Sequence, residues 1–335
     1  MATTIKDVAR VAGVSVATVS RALNGHANVT EPTRAHVMGV VAQLRFVPSS
    51  AAQSMITRRT HTVGALLPDL HGEYFSELIR GIDLAARARG LHLLVSSSHG
   101  DAAEAAAALR AMNGRVDGLL VMSPHVSADF LWGNVADDLP AVLMNTHVAG
   151  GAHSSFAVDN HGGARAMVRH LVDRGHRDIA FVAGPESNFE AQERLRGYRS
   201  ALAEWLPGVT ERVLQGDFTQ ESGFRAGSQV IALTQRPSAV FASNDMMAIG
   251  CLSALTEAGL TVPGDIALAG FDDVPVSRYV NPPLTTVRAR ITELGGLALE
   301  RLASEIEEAE PGAPMHQTLR ADLVIRQSTA APDSS

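Results

Sequence analysis

Three side chains near the N-terminus have the types and spacing to read base edges in DNA. Val16, Ala17 and Arg21 lie in the stretch running from Ser15 to Asn24. On a helix, residues four apart share a face, so Ala17 and Arg21 point the same way, and Val16 sits beside them near the helix start. A guanidinium donates two parallel hydrogen bonds to guanine N7 and O6, worth about 1–3 kcal/mol of discrimination. Valine and alanine side chains have no hydrogen-bonding groups; they press on a thymine methyl or exclude a base. Ser15, Thr18, Ser20, Asn24 and Thr33 suit phosphate contacts, which fix position without reading sequence.

The elements that must hold these residues are legible. Thr4 is placed to cap a helix to about Ala12, with Ile5, Val8, Ala9 and Ala12 on one face. Gly13-Val14 makes a turn, Ser15 caps a second helix through Leu23, and Asn24-Gly25 stops it. Thr30 is placed to cap a third helix to about Leu44, with Pro32 in its first turn and Val37, Val40, Val41 and Leu44 inward. Two helices joined by a short glycine turn form a helix-turn-helix pattern. Charge agrees with this. Residues 1–59 hold Lys6, Arg10, Arg21, Arg34, Arg45, Arg58 and Arg59 against Asp7 and Glu31, a net of +5 on a chain of net −7. The rest of the chain therefore carries −12, and only the head is suited to a polyanion.

Val47-Pro48-Ser49-Ser50 ends the head, and Ala51–Ile56 has room for one or two helical turns, too few to be stable alone. From His61 the texture becomes alternating strand and helix. Apolar runs at Val63–Leu67, Leu91–Val95, Gly118–Met122, Ala141–Met144, Ile179–Val182, Ala239–Phe241 and Ile266–Gly270 alternate with helical patterns such as Tyr74–Arg89, Gly162–Arg174 and Met246–Ala258. Short apolar strands alternating with helices mean parallel sheets covered on both faces. A length of 335 residues with 46% hydrophobic content suits two or three domains.

Other chemistries find little support. No HExxH, GxSxG, P-loop or GxGxxG pattern is present, and the single Cys251 has no partner for a disulfide or a CxxC site. No cofactor is expected. There is no uncharged run of 18 apolar residues and no apolar leader, so a cytoplasmic protein without a membrane segment is expected. A periplasmic sugar-binding transport protein would suit the body, but not a leaderless basic head.

The stretch from Thr4 to Asn24 resembles the head signature of LacI/GalR transcription regulators over some twenty positions. The blocks Leu171–Ile179, Ala183–Pro185, Arg194–Tyr198, Ser243–Ala248, Gly270–Asp273 and Pro283–Val287 resemble blocks of the same family. The likeness runs from residue 2 to about 328, and the Val16-Ala17 pair most resembles the galactose repressors. It implies an α/β protein: an all-α helix-turn-helix head at 1–47, a hinge helix and linker at 48–60, and a periplasmic-binding-protein-like body at 61–330. That body would have two Rossmann-like lobes with parallel sheets, one about 61–158 plus 288–318 and the other about 159–287 plus 319–330.

The resemblance also implies partners and sites. A homodimer would bind a palindromic operator in double-stranded DNA, with Met55 at the place of the family's minor-groove leucine wedge. Methionine is itself a known wedge residue. A small effector would bind the cleft between lobes, at Arg194, Asn244 and Asp272, against Phe218, with Asp69, Tyr74, Phe75 and Asn145 contributing. Glu190 stands where small polar residues are usual, and suits hydroxyls or an amino sugar. Ala289 and Ile291 are further expected cleft positions. A carbohydrate effector is the first reading and a purine-like corepressor the second.

Overall fold

The structure, a computed structural model, describes residues 3–47, 59–123, 130, 133–136, 138–146, 153–308 and 312–329. Met55 and residues 48–58 of the expected hinge lie outside the described residues. Contacts divide the chain into two units, Met1–Thr60 and His61–Ser335.

The head holds helices α1 (Ile5–Ala12), α2 (Val16–Leu23) and α3 (Glu31–Gln43). Thr4 and Asp7 form a reciprocal capping box on α1, and Gly13 takes the left-handed conformation (φ 65°) that turns the chain towards α2. Ser15 Oγ accepts from Thr18 N at 3.1 Å, which caps α2. Val8, Ala9, Ala12, Val19, Ala22, Val29, Val37 and Val40 close one small core, as the helical spacing requires. Thr30 precedes α3 as expected but does not cap it. Its hydroxyl pairs with that of Thr33 at 2.9 Å instead, which takes it away from the backbone N–H groups.

In the body, six parallel strands form one sheet: β1 (Thr62–Leu67), β2 (His92–Ser97), β3 (Gly118–Val121), β4 (Ala141–Met144), β5 (Ser155–Val158) and β11 (His316–Leu319). Their order is β2-β1-β3-β4-β5-β11. A second parallel sheet has the order β7-β6-β8-β9, from β7 (Arg212–Gln215), β6 (Ile179–Ala183), β8 (Ala239–Ala242) and β9 (Ala267–Ala269). Short β10 (Thr286–Arg288) and β12 (Asp322–Val324) pair antiparallel where the chain returns between the sheets. Sequence patterning missed β5, β7, β10, β11 and β12, which are three or four residues long and carry polar side chains. β2, expected as a buried run, is half-buried at the sheet edge.

Helices α4 (Glu73–Ala88), α5 (Ala102–Met112), α7 (Phe189–Trp205), α8 (Gln220–Ala232) and α9 (Asp245–Glu257) follow strands in the crossover pattern of parallel sheets. Helices α6 (Asn160–Asp173) and α10 (Ile291–Glu307) lie on the segments linking the two sheets. One apolar core runs through both sheets, from Val63 and Phe156 to Phe181 and Phe271. Helices α8 and α9 come into backbone contact at two glycines: a Cβ on Gly223 would collide with the Met247 carbonyl, and one on Gly250 with that of Gln220. In each sheet the strand order reverses beside the first strand, between β1 and β3 and between β6 and β8. Parallel sheets leave a crevice at such a point, beyond the carboxyl ends of the strands.

Candidate functional site

The crevices of the two sheets open into one cavity of about 320 Å³. The loop after β1 brings Pro68 and Asp69 to it, the start of α4 brings Tyr74 and Phe75, and the end of β3 brings Met122. The loops and helix starts after β6, β8 and β9 bring Glu190, Arg194, Asn244 and Asp272. Phe218 enters from the loop after β7, with the positive φ of 71°. Its ring packs so close to Gly184 that no Cβ would fit there. Eight of the nine expected ligand residues therefore line one cavity. The ninth, Asn145, is buried behind it: its Nδ2 donates to the Tyr74 hydroxyl at 2.8 Å, and its Oδ1 accepts from Val158 N at 3.2 Å. Ala289 and Ile291, expected at the cleft, are core residues and do not line this cavity.

Arg194 is the hub. Only 3% exposed, it donates from Nε to Asn160 Oδ1 (2.8 Å) and from Nη1 to the Ser243 carbonyl (2.6 Å). Its Nη2 stands 3.0 Å from Asp272 Oδ1 and 3.8 Å from Glu190 Oε1. The Phe271 ring lies under the guanidinium at 3.9 Å and the Phe218 ring at 5.9 Å. Asn160 and Phe271 were not foreseen. Phe271 lies in a family-like block but has the pattern of a strand residue, and Asn160 has no sequence signal beyond its place at a helix start.

Glu190 Oε1 and Asp272 Oδ1 are both buried and accept no hydrogen bond. Arg194 Nη2 and Asp272 Oδ1 form an ion pair at 3.0 Å. Burial pushes the Glu190 carboxyl up to about 7; Arg194 opposes the rise and Asp272 adds to it. Burial likewise lifts Asp272 to about 6 against the pull of Arg194. Behind them Asp245 is raised well above the usual carboxylate range by burial and then by the Asp272 charge. It accepts from Thr286 Oγ1 at 2.5 Å and from Val274 N at 2.9 Å. Burial, with Glu190 and Asp272 nearby, also raises the Tyr74 phenol well above its ordinary range. Asp272 itself is held at φ 111°, a conformation rare outside glycine.

Two expected contacts are already committed within the chain. Asn244 caps α9 through Oδ1 to Met247 N (2.9 Å) and holds the Phe218 carbonyl through Nδ2 (3.0 Å). Asp69 accepts from the backbone of Leu70 and His71.

In the head, Val16, Ala17 and Arg21 are all exposed on α2. Among the described residues Arg21 has no ion pair, whereas Arg10 pairs with Asp7 and Arg34 turns inward to the carbonyls of Ala22 and His26. Ser15 and Asn24 are exposed at the two ends of α2, and Ser20 is half-buried. The hydroxyls of Thr18 and Thr33 are paired within the head, with Ser15 and Thr30. No helix among the described residues is long and apolar enough to cross a membrane.

Comparison with known proteins places both parts. Residues 4–49 match the model of bacterial regulatory proteins of the lacI family, and residues 168–329 match the periplasmic binding protein-like domain. The HTH-type transcriptional repressor PurR of Proteus mirabilis (strain HI4320) is 38% identical over 319 residues, 92% of each chain. The lac repressor dimer bound to operator and the anti-inducer ONPF is 30% identical with a TM-score of 0.89, covering 99% of this chain and 100% of that one. The transcriptional regulator CelR in complex with cellobiose is also 30% identical, with a TM-score of 0.72 over 97% of this chain and 99% of that one. This protein is a DNA-binding transcriptional repressor with a ligand-binding body, and the chain belongs to the lacI family of bacterial regulatory proteins.

Proposed function

We propose that the repressor is controlled by a small carbohydrate held in the 320 Å³ cavity. The observation that carries this reading is the Arg194–Asp272 pair, buried at the meeting of the two sheets with an aromatic ring beside it. An arginine with an aspartate grips adjacent hydroxyls as charge-assisted donor and acceptor, and Phe218 offers a face to the C–H side of a sugar ring. The cellobiose complex of a relative at 30% identity supports the same class. A purine-like corepressor is the second reading. It is supported by the carboxylates of Glu190 and Asp272, each with an oxygen that accepts no hydrogen bond, because ring N–H groups need acceptors.

In this reading Arg21 reads one base pair per half-site, Val16 and Ala17 exclude others, and Met55 acts as a wedge at a central CG step. A homodimer sets two heads on half-sites about 34 Å apart. Ligand and operator then change each other's affinity by one and the same factor, typically about 1–3 kcal/mol of coupling. Operator binding by fluorescence anisotropy, with and without each member of a sugar and purine panel, tests the proposal. A sugar should shift operator affinity in the wild type and not in Arg194→Ala. A purine that shifts it while no sugar does would transfer the role to the second reading.

A further inference from the structure

We infer that the effector carries a positively charged nitrogen, an ammonium or a protonated ring nitrogen, seated between Glu190 and Asp272. This rests on the sensing role proposed for the cavity and narrows the chemistry of its ligand.

The charge count of the lining carries the argument. Among the described residues, six carboxylates line the cavity (Asp69, Glu73, Glu190, Asp217, Glu221 and Asp272) against one guanidinium, Arg194, and one imidazole, His71. Three of the six are occupied within the chain. Asp69 binds its own loop, Glu73 accepts from Val276 N at 2.9 Å, and Asp217 pairs with Thr219 and with Arg225 at 3.3 Å. Glu190 and Asp272 are different: each lines the cavity, is 5% exposed and has a buried carboxylate oxygen that accepts no hydrogen bond. Among the described residues Arg194 is the one cation paired with them, and its Nε and Nη1 are already spent on Asn160 and Ser243. With both carboxylates ionised, this buried set carries one negative charge in excess.

The neighbouring cavity, of about 440 Å³, shows that such an excess is not general. There Arg80 pairs with Glu77, Arg290 with Glu293, and Arg278 and Arg288 with Asp273. Nor is the imbalance in the first cavity a surface property that solvent would screen, because the two acids are nineteen-twentieths buried. A buried carboxylate without a partner keeps a proton or finds a cation. Among the described residues, the groups that face Glu190 are Arg194 on its own helix, Asp272 after β9, the Tyr74 phenol of α4 and the neutral Asn160 amide, so none of these adds a second cation. A cationic ligand would supply the missing charge and release the retained proton to solvent. A neutral sugar would supply hydroxyl donors but leave the excess in place.

Isothermal titration of the full-length protein with matched pairs tests this: glucosamine against glucose, galactosamine against galactose, and putrescine against 1,4-butanediol. At least one amine should bind at least about tenfold tighter than its neutral partner, the scale of one charge-assisted hydrogen bond. Its binding heat should vary with buffer ionisation enthalpy in the sense of proton release. Glu190→Gln, which keeps the side-chain volume, should bring the ratio close to one and abolish the proton release. Glu221→Gln, at the exposed rim, should lower the ratio less. The inference is overturned if neutral partners bind as well as the amines, if no amine binds, or if the preference survives in Glu190→Gln. A neutral sugar that binds through Arg194 and shifts operator affinity would leave the sensing role intact and remove only the charge. An amine that binds through Glu190 without shifting operator affinity would do the reverse.

Discussion

Arg194 Nη2 and Asp272 Oδ1 stand 3.0 Å apart, each nearly sealed from solvent, and they join α7 to the turn after β9. Removing the guanidinium leaves two buried carboxylates uncompensated. Arg194→Ala is therefore expected to destabilise the body by about 3–5 kcal/mol at about pH 8. The loss should shrink at about pH 5, where the carboxylates can take up protons. Urea unfolding at the two pH values checks this; an equal loss at both would contradict it.

The carboxylates of Glu190 and Asp272 also set a pH dependence. Each is raised above its unfolded value, to about 7 and about 6. The folded state then binds more protons than the unfolded state, so their contribution is fully present below about pH 4 and is lost as pH rises towards 7. Each group accounts for on the order of 3 kcal/mol at most. Burial lowers His153, His161, His170 and His176, which act in the opposite sense near pH 6.5. Subtracting the unfolding curve of Glu190→Gln from that of the wild type cancels the histidines. The difference should fall with pH between about 4.5 and 7, and a flat difference would exclude the linkage.

Arg21 is exposed and makes no ion pair among the described residues. Arg21→Ala should leave the unfolding free energy unchanged within about 0.5 kcal/mol. It should cost about 1–3 kcal/mol of discrimination at one base pair per half-site. Anisotropy titrations against a panel of base-substituted operators separate the two effects. An unchanged order of preference would show that the base reader lies elsewhere.

Gly250 lies where α9 crosses the start of α8, which carries Gln220 to the cavity wall. Because the obstacle to a Cβ is the Gln220 backbone rather than a flexible side chain, Gly250→Ala should cost about 1–3 kcal/mol. Thermal unfolding reads the loss. Gly259→Ala, where a Cβ meets open space but φ is 75°, is the control for backbone strain alone.

The parts of the chain legible beforehand were those where one residue's neighbours in sequence decide its environment. The Thr4 cap, the Ser15 cap and the valine spacing of α3 are local, and each appears where expected. Short polar strands such as β7 and β10 were not legible, because with so few residues their pairing depends on a neighbouring strand rather than on their own pattern. Individual side-chain tasks were legible only in part. Asn244 was read as a ligand contact, yet both ends of its amide hold the protein together.

By itself, then, the sequence determined a basic three-helix head with Arg21 outward, a body of alternating strands and helices, and the family to which both belong. Helical and strand periodicity is a property of consecutive residues, and motif blocks are read in register. Only the tertiary structure decided that Glu190 and Asp272 share one guanidinium, that Asn160 and Phe271 complete its surroundings, and that Asn145 stands behind Tyr74 rather than in the cavity. These relationships join loops from separate strands of two sheets. The energy of a buried charge is set by which groups stand around it in space, and no spacing along the chain encodes that.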